Sequence, residues 1–114
     1  MGEIAFAVTV AREVEGVLRE MTRTLSEELS DRYDESRRSM GIKKMRTFLQ
    51  IRDDEMMLIF FIEADDPHEA VRRMSQERTD INYYLNDIYD RYVDEDPRTK
   101  AARSQIDCIF SWDA

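Results

Sequence analysis

The chain has few of the residues that break, staple or ligate a fold: three glycines, two prolines, one cysteine and one histidine among 114 residues. So little Gly and Pro excludes low-complexity tracts and long flexible linkers. A lone cysteine excludes an internal disulfide, and the apolar run around Cys108 predicts a buried structural thiol. No histidine falls on an expected strand, and no His/carboxylate group has metal-ligand spacing, so neither a metal nor a cofactor is expected. There is no Gly-rich phosphate loop, and no Ser or Cys nucleophile with a histidine placed by motif. Long apolar runs are missing as well. Nothing approaches a membrane span, and the N-terminus lacks the basic-then-apolar signature of a secretory signal, which predicts a cytoplasmic protein with no membrane partner.

Positive charge is the last scarcity. Seventeen Lys and Arg stand against twenty-five Asp and Glu, a net charge of −8. The short clusters Arg37-Arg38, Lys43-Lys44 and Arg72-Arg73 are flanked by carboxylates. Such an acidic surface repels phosphate backbones and argues against nucleic acid as a partner.

What remains is an ordinary globular composition, 42% apolar and 37% charged, of a length that predicts one domain over residues 1–114. Its strongest pattern is Lys43–Ala64, two apolar, β-branched and aromatic runs around Asp53-Asp54, which predicts a β-hairpin. Pairing Arg52 with Glu55 sets Gln50 opposite Met57, Phe48 opposite Ile59, Arg46 opposite Phe61 and Lys44 opposite Glu63. The other face then carries Met45, Thr47, Leu49 and Ile51 against Ile62, Phe60, Leu58 and Met56, and is almost wholly apolar. The mixed face still carries Met57, Ile59 and Phe61, too much apolar surface to stand bare in water. Both faces of the hairpin are therefore expected to be covered.

Glu3–Val10 alternates as a first strand, with the small Ala5, Ala7 and Thr9 on one side. From Arg12 to about Met40 the spacing turns helical: Val14, Val17, Leu18, Met21, Leu25 and Leu29 form one stripe, which fades over the polar Ser30–Ser39. That polar part is either an extension or a second short helix, and Gly41 stops it. Asp65-Asp66-Pro67 signals a helix start, with Val71, Met74, Ile81, Leu85, Ile88 and Tyr92 as the stripe and a break near Ser75–Thr79. Asp94–Lys100 reads as a charged loop, and Ser104–Trp112 as a last strand. The order strand, helix, strand, strand, helix, strand predicts an α+β, ferredoxin-like βαββαβ fold with an antiparallel sheet. Two helices cover one face of that sheet. A second copy is the simplest cover for the other, which predicts a homodimer packed sheet to sheet.

The early strand, the Val14–Leu29 helix, the core FLQIRDDEMMLIFFIEADDPHEAVRRM and the C-terminal strand together resemble the dimeric α/β-barrel superfamily, over about the whole chain. Antibiotic-biosynthesis-type monooxygenases and rhamnose mutarotase-like proteins belong to it. The likeness is strongest to its small uncharacterised members, for which no activity is implied. Haem-degrading members use an axial His, but His68 sits at a helix start beside Pro67, and haem is not expected.

The resemblance puts a candidate ligand site inside the barrel, and Arg46, Phe48, Gln50 and Phe61 are the residues the register sends there. Arg46 has two readings: an ion pair with Asp107 or a partner's carboxylate, or a group that binds an anion or carbonyl in an aromatic pocket. His68 reads as a surface residue near a cap, and Glu63–Asp66 as a solvated turn and cap. Tyr83, Tyr84, Tyr89 and Tyr92 read as core and dimer packing. No residue is assigned a catalytic role. Two function classes follow: a dimeric small-ligand-binding or structural module, or a cofactor-independent small-molecule enzyme of monooxygenase or isomerase type.

Overall fold

Residues 2–114 are described by a computed structural model of the chain. Strand β1 (Gly2–Val10) leads through a 3-10 turn (Arg12–Val14) into helices α1 (Glu15–Ser26) and α2 (Ser30–Ser39). Strands β2 (Ile42–Arg52) and β3 (Glu55–Ala64) form the hairpin, and α3 (Pro67–Met74), α4 (Asp80–Tyr92) and α5 (Pro97–Ala102) follow. The described residues form an α+β fold, with one three-stranded antiparallel sheet in the order β1-β3-β2 and five α-helices.

The hairpin register is the one the charge pairs predict: Arg52 opposes Glu55, and Lys44 opposes Glu63. Asp53 turns the chain at φ 54°, a left-handed conformation that aspartate tolerates better than bulky residues. Arg12 Nη1 donates to its carbonyl at 2.7 Å. Alternation then decides the layers. Met56, Leu58, Phe60 and Ile62 face the helices and are at most 3% exposed. They pack with Val8, Leu18, Met21 and Leu85 on one side, and with Ile4, Val71 and Met74 on the other. Phe6 stacks on Phe60 with ring centroids 5.0 Å apart.

Each helix boundary has a local cause. The polar segment is a second helix, separated from α1 where Glu27 leaves helical geometry (φ −117°, ψ −86°). Gly41 ends it at φ 76°, where a Cβ would also press on Asp65. Asp66 caps α3 by accepting from Glu69 N at 3.2 Å, with Pro67 at the first position. Thr79 caps α4 by accepting from Asn82 N at 3.1 Å, which places the expected break between the two helices.

Three expectations at the C-terminal end are corrected. Asp94–Lys100 is not all loop, because Asp96 and Pro97 start α5 as Asp66 and Pro67 start α3. Ser104–Trp112 is not a strand. Alternation supplies propensity but no partner, and α5 lies along β1, where Lys100 Nζ reaches the Ala7 carbonyl at 3.4 Å. Cys108 is exposed rather than buried, since no layer covers the segment.

Candidate functional site

The outer face of the sheet is a grid set by the two registers. Its rows, read from β1 through β3 to β2, are Glu3–Glu63–Lys44, Ala5–Phe61–Arg46, Ala7–Ile59–Phe48 and Thr9–Met57–Gln50. Arg46, Phe48, Gln50 and Phe61 thus share one face, as expected. In the single chain they line no cavity: Arg46, Phe48 and Gln50 are exposed and Phe61 is half-buried. Phe48 is 54% exposed and Met57 37%. Arg46 donates from Nη1 to the carbonyl of Met45 at 3.1 Å and has no carboxylate partner among the described residues. Its expected intrachain partner Asp107 instead accepts from Gln105 Nε2 at 2.8 Å.

The inner face carries a site that pattern reading missed. A cavity of about 320 Å³ opens between β2 and the helices. Met45 and Thr47, the inward neighbours of Arg46 and Phe48, form its floor with Phe60. Met21 and Leu25 of α1 and Leu85 of α4 supply apolar walls, and the remaining wall holds Tyr33, Arg37, Tyr89 and Arg98. Tyr33 donates from Oη to Met45 Sδ at 3.3 Å.

The two buried guanidiniums differ. Arg98 is 1% exposed and fully engaged: Nε and Nη2 pair with the Asp96 carboxylate at 3.1 and 2.8 Å. Its remaining donors go to Asn82 Oδ1, Asn86 Oδ1 and the Met74 carbonyl. Arg37 is 6% exposed and donates from Nη2 to Ser36 Oγ at 3.2 Å. Its Nε and Nη1 are buried with no hydrogen-bond partner, and it forms no ion pair among the described residues. Burial pushes its pKa down and the nearby Arg98 charge adds to the effect. Each cation lies over an aromatic ring, Arg37 4.7 Å from the Tyr33 centroid and Arg98 4.9 Å from that of Tyr89. Burial holds both phenols above their ordinary range.

A signal for Arg37 was present in the sequence. Tyr33, Arg37 and Met40 recur at helical spacing on the face that continues Met21, Leu25 and Leu29. An arginine counts as polar in such a pattern, so the stripe read as faded. His68 is exposed, with Nε2 3.1 Å from the Ile106 carbonyl. Tyr89 is buried in the core, whereas Tyr83 and Tyr92 are 57% and 44% exposed in the single chain. No helix among the described residues is long and apolar enough to cross a membrane. No family model, curated protein or solved structure matches the chain.

Proposed function

We propose that the protein is a homodimeric small-ligand-binding module of the ferredoxin-like, dimeric α/β-barrel type. Two copies pack sheet to sheet, and Arg46, Phe48, Gln50 and Phe61 of both line the interior. The observation that carries this reading is the make-up of the outer face. Its β1 column is small (Ala5, Ala7, Thr9) and its β2 column bulky (Arg46, Phe48, Gln50), with Phe61, Ile59 and Met57 between them. A two-fold axis parallel to the strands lays the bulky column of one copy over the small column of the other. The same axis brings Lys44 against Glu3 of the partner subunit. The outer columns are then complementary in size, and in charge at Lys44 and Glu3, while the central column meets its own copy, with Glu63 flanked by the lysines of both subunits.

Sheets stacked face to face stand about 10 Å apart, a gap that the side chains of the two inner faces share with any ligand held between them. A guanidinium there binds a carboxylate, enolate or phenolate more strongly than a surface arginine does. Ser104–Trp112 is unpaired in the single chain and is open to cover by the partner subunit. Phe110 and Trp112, 81% and 76% exposed in one chain, are covered in that arrangement.

Light scattering on a sizing column tests the reading. Wild type is expected at twice the mass of one chain, and Phe61→Asp, which puts a charge at the centre of the face, at the monomer mass. The emission of Trp112, the single tryptophan, is expected to shift to the red on dilution. A wild type that is monomeric at micromolar concentration overturns the proposal.

A further inference from the structure

We propose that the cavity between β2 and the helices is a second binding site, which takes a small carboxylate carried on an apolar body and holds its charge at Arg37. The charges beside this cavity are out of balance. Arg37 is buried, two of its nitrogens lack any partner, and Arg98 beside it has already taken the Asp96 carboxylate. A buried cation with no counter-ion is costly, and a ligand that supplies the missing charge recovers that cost on binding. Tyr33 under the guanidinium plane and Ser36 at Nη2 hold the group without neutralising it.

The walls define the rest of the ligand. Met21, Leu25, Phe60 and Leu85 offer no charge, and about 320 Å³ suits an aromatic ring or a short alkyl chain rather than a nucleotide. One unpaired guanidinium matches one planar carboxylate, whereas a phosphate dianion brings more charge than Arg37 alone can meet. Nε and Nη1 are buried, so docking includes a rotamer shift of Arg37. The side chain lines both this cavity and the polar groove beside Asp34 and Lys43, which gives it space to turn. The site does not depend on dimerisation, because it lies on the other side of the sheet from Arg46.

Calorimetric titration of the full chain tests this, with hydrocinnamate and octanoate as probes and hydrocinnamamide and phenyl phosphate as comparators. Hydrocinnamate is expected to bind wild type about tenfold or more tightly than the uncharged amide and than phenyl phosphate. Arg37→Met should lose that preference, Arg37→Lys should keep part of it, and Arg38→Met, which removes the exposed neighbouring arginine, should retain it. Amide shifts of Tyr33, Met45 and Thr47 in wild type locate the ligand even if Arg37→Met fails to fold. Equal binding of acid and amide, no binding of either acid, or tighter binding of phenyl phosphate overturns the proposal. So does loss in Arg46→Met with Arg37→Met unaffected, which would place the ligand on the opposite face and leave the dimer reading standing.

Discussion

Arg37 and Arg98 are one residue type with opposite consequences for stability. Arg98 has a carboxylate, two amide oxygens and a carbonyl, and belongs to the framework. Arg37 has one hydroxyl and a ring, and weakens the fold when no ligand is bound. Without ligand, Arg37→Met is therefore expected to raise stability by about 1–3 kcal/mol, the usual cost of an unsatisfied buried polar group, as a higher urea midpoint. The phenols give a second expectation at this scale. Tyr33 and Tyr89 have pKa values raised by burial, so the unfolded chain loses those protons first as pH rises. The stability they contribute is complete below the ordinary tyrosine pKa of about 10 and is lost as pH climbs through the raised folded values. Urea midpoints measured across that range should fall with pH in wild type and flatten in Tyr33→Phe/Tyr89→Phe. An unchanged alkaline slope would show that the phenols ionise alike in both states.

At the scale of elements, the hairpin was legible in full because two independent constraints agree on one register. Charge pairs at Arg52–Glu55 and Lys44–Glu63 coincide with an unbroken apolar face, and a one-residue slip would destroy both. Caps were legible where the polar residue precedes a stripe, as at Asp66 and Thr79. The same Asp-Pro signal at Asp96-Pro97 was hidden because no apolar stripe follows it. What α5 buries instead is Arg98, which a hydrophobic pattern cannot flag. Two cap substitutions separate the roles. Asp66→Ala should cost about 1 kcal/mol, since only a helix start is lost. Asp96→Ala removes the cap and also leaves Arg98 as an uncompensated buried charge, so it should cost about 3–5 kcal/mol. Equal urea midpoints for the two variants would mean that the Asp96–Arg98 pair contributes nothing beyond capping.

The molecule as a whole shows an asymmetry that local patterning only half discloses. One sheet face is covered by helices except for the cavity beside β2, while the other carries Phe48, Met57, Ile59 and Phe61 with no described helix above them. The sequence demanded a cover for that face from its composition alone. It could not reveal that Ser104–Trp112 stays unpaired in one chain, because a strand exists only with a partner and α5 already lies along β1. The candidate site divided in the same way. Alternation placed Arg46, Phe48, Gln50 and Phe61 on one face, whereas the Arg37 cavity arises from contacts among α1, α2, α4 and β2 that no single periodicity encodes.

The proposed two-fold pairing sets Lys44 against Glu3 of the partner subunit, and two charge reversals and their mixture test it. In a homodimer of Glu3→Lys both cross-subunit pairs become Lys–Lys, and in one of Lys44→Glu both become Glu–Glu. A dimer formed by one copy of each has every pair opposite in sign. Native mass spectrometry of the mixture, with one variant isotopically labelled, should show each variant alone shifted toward monomer and the mixed dimer dominant. Mixed dimers at no more than the statistical proportion, or a mixture as monomeric as its components, would contradict the pairing.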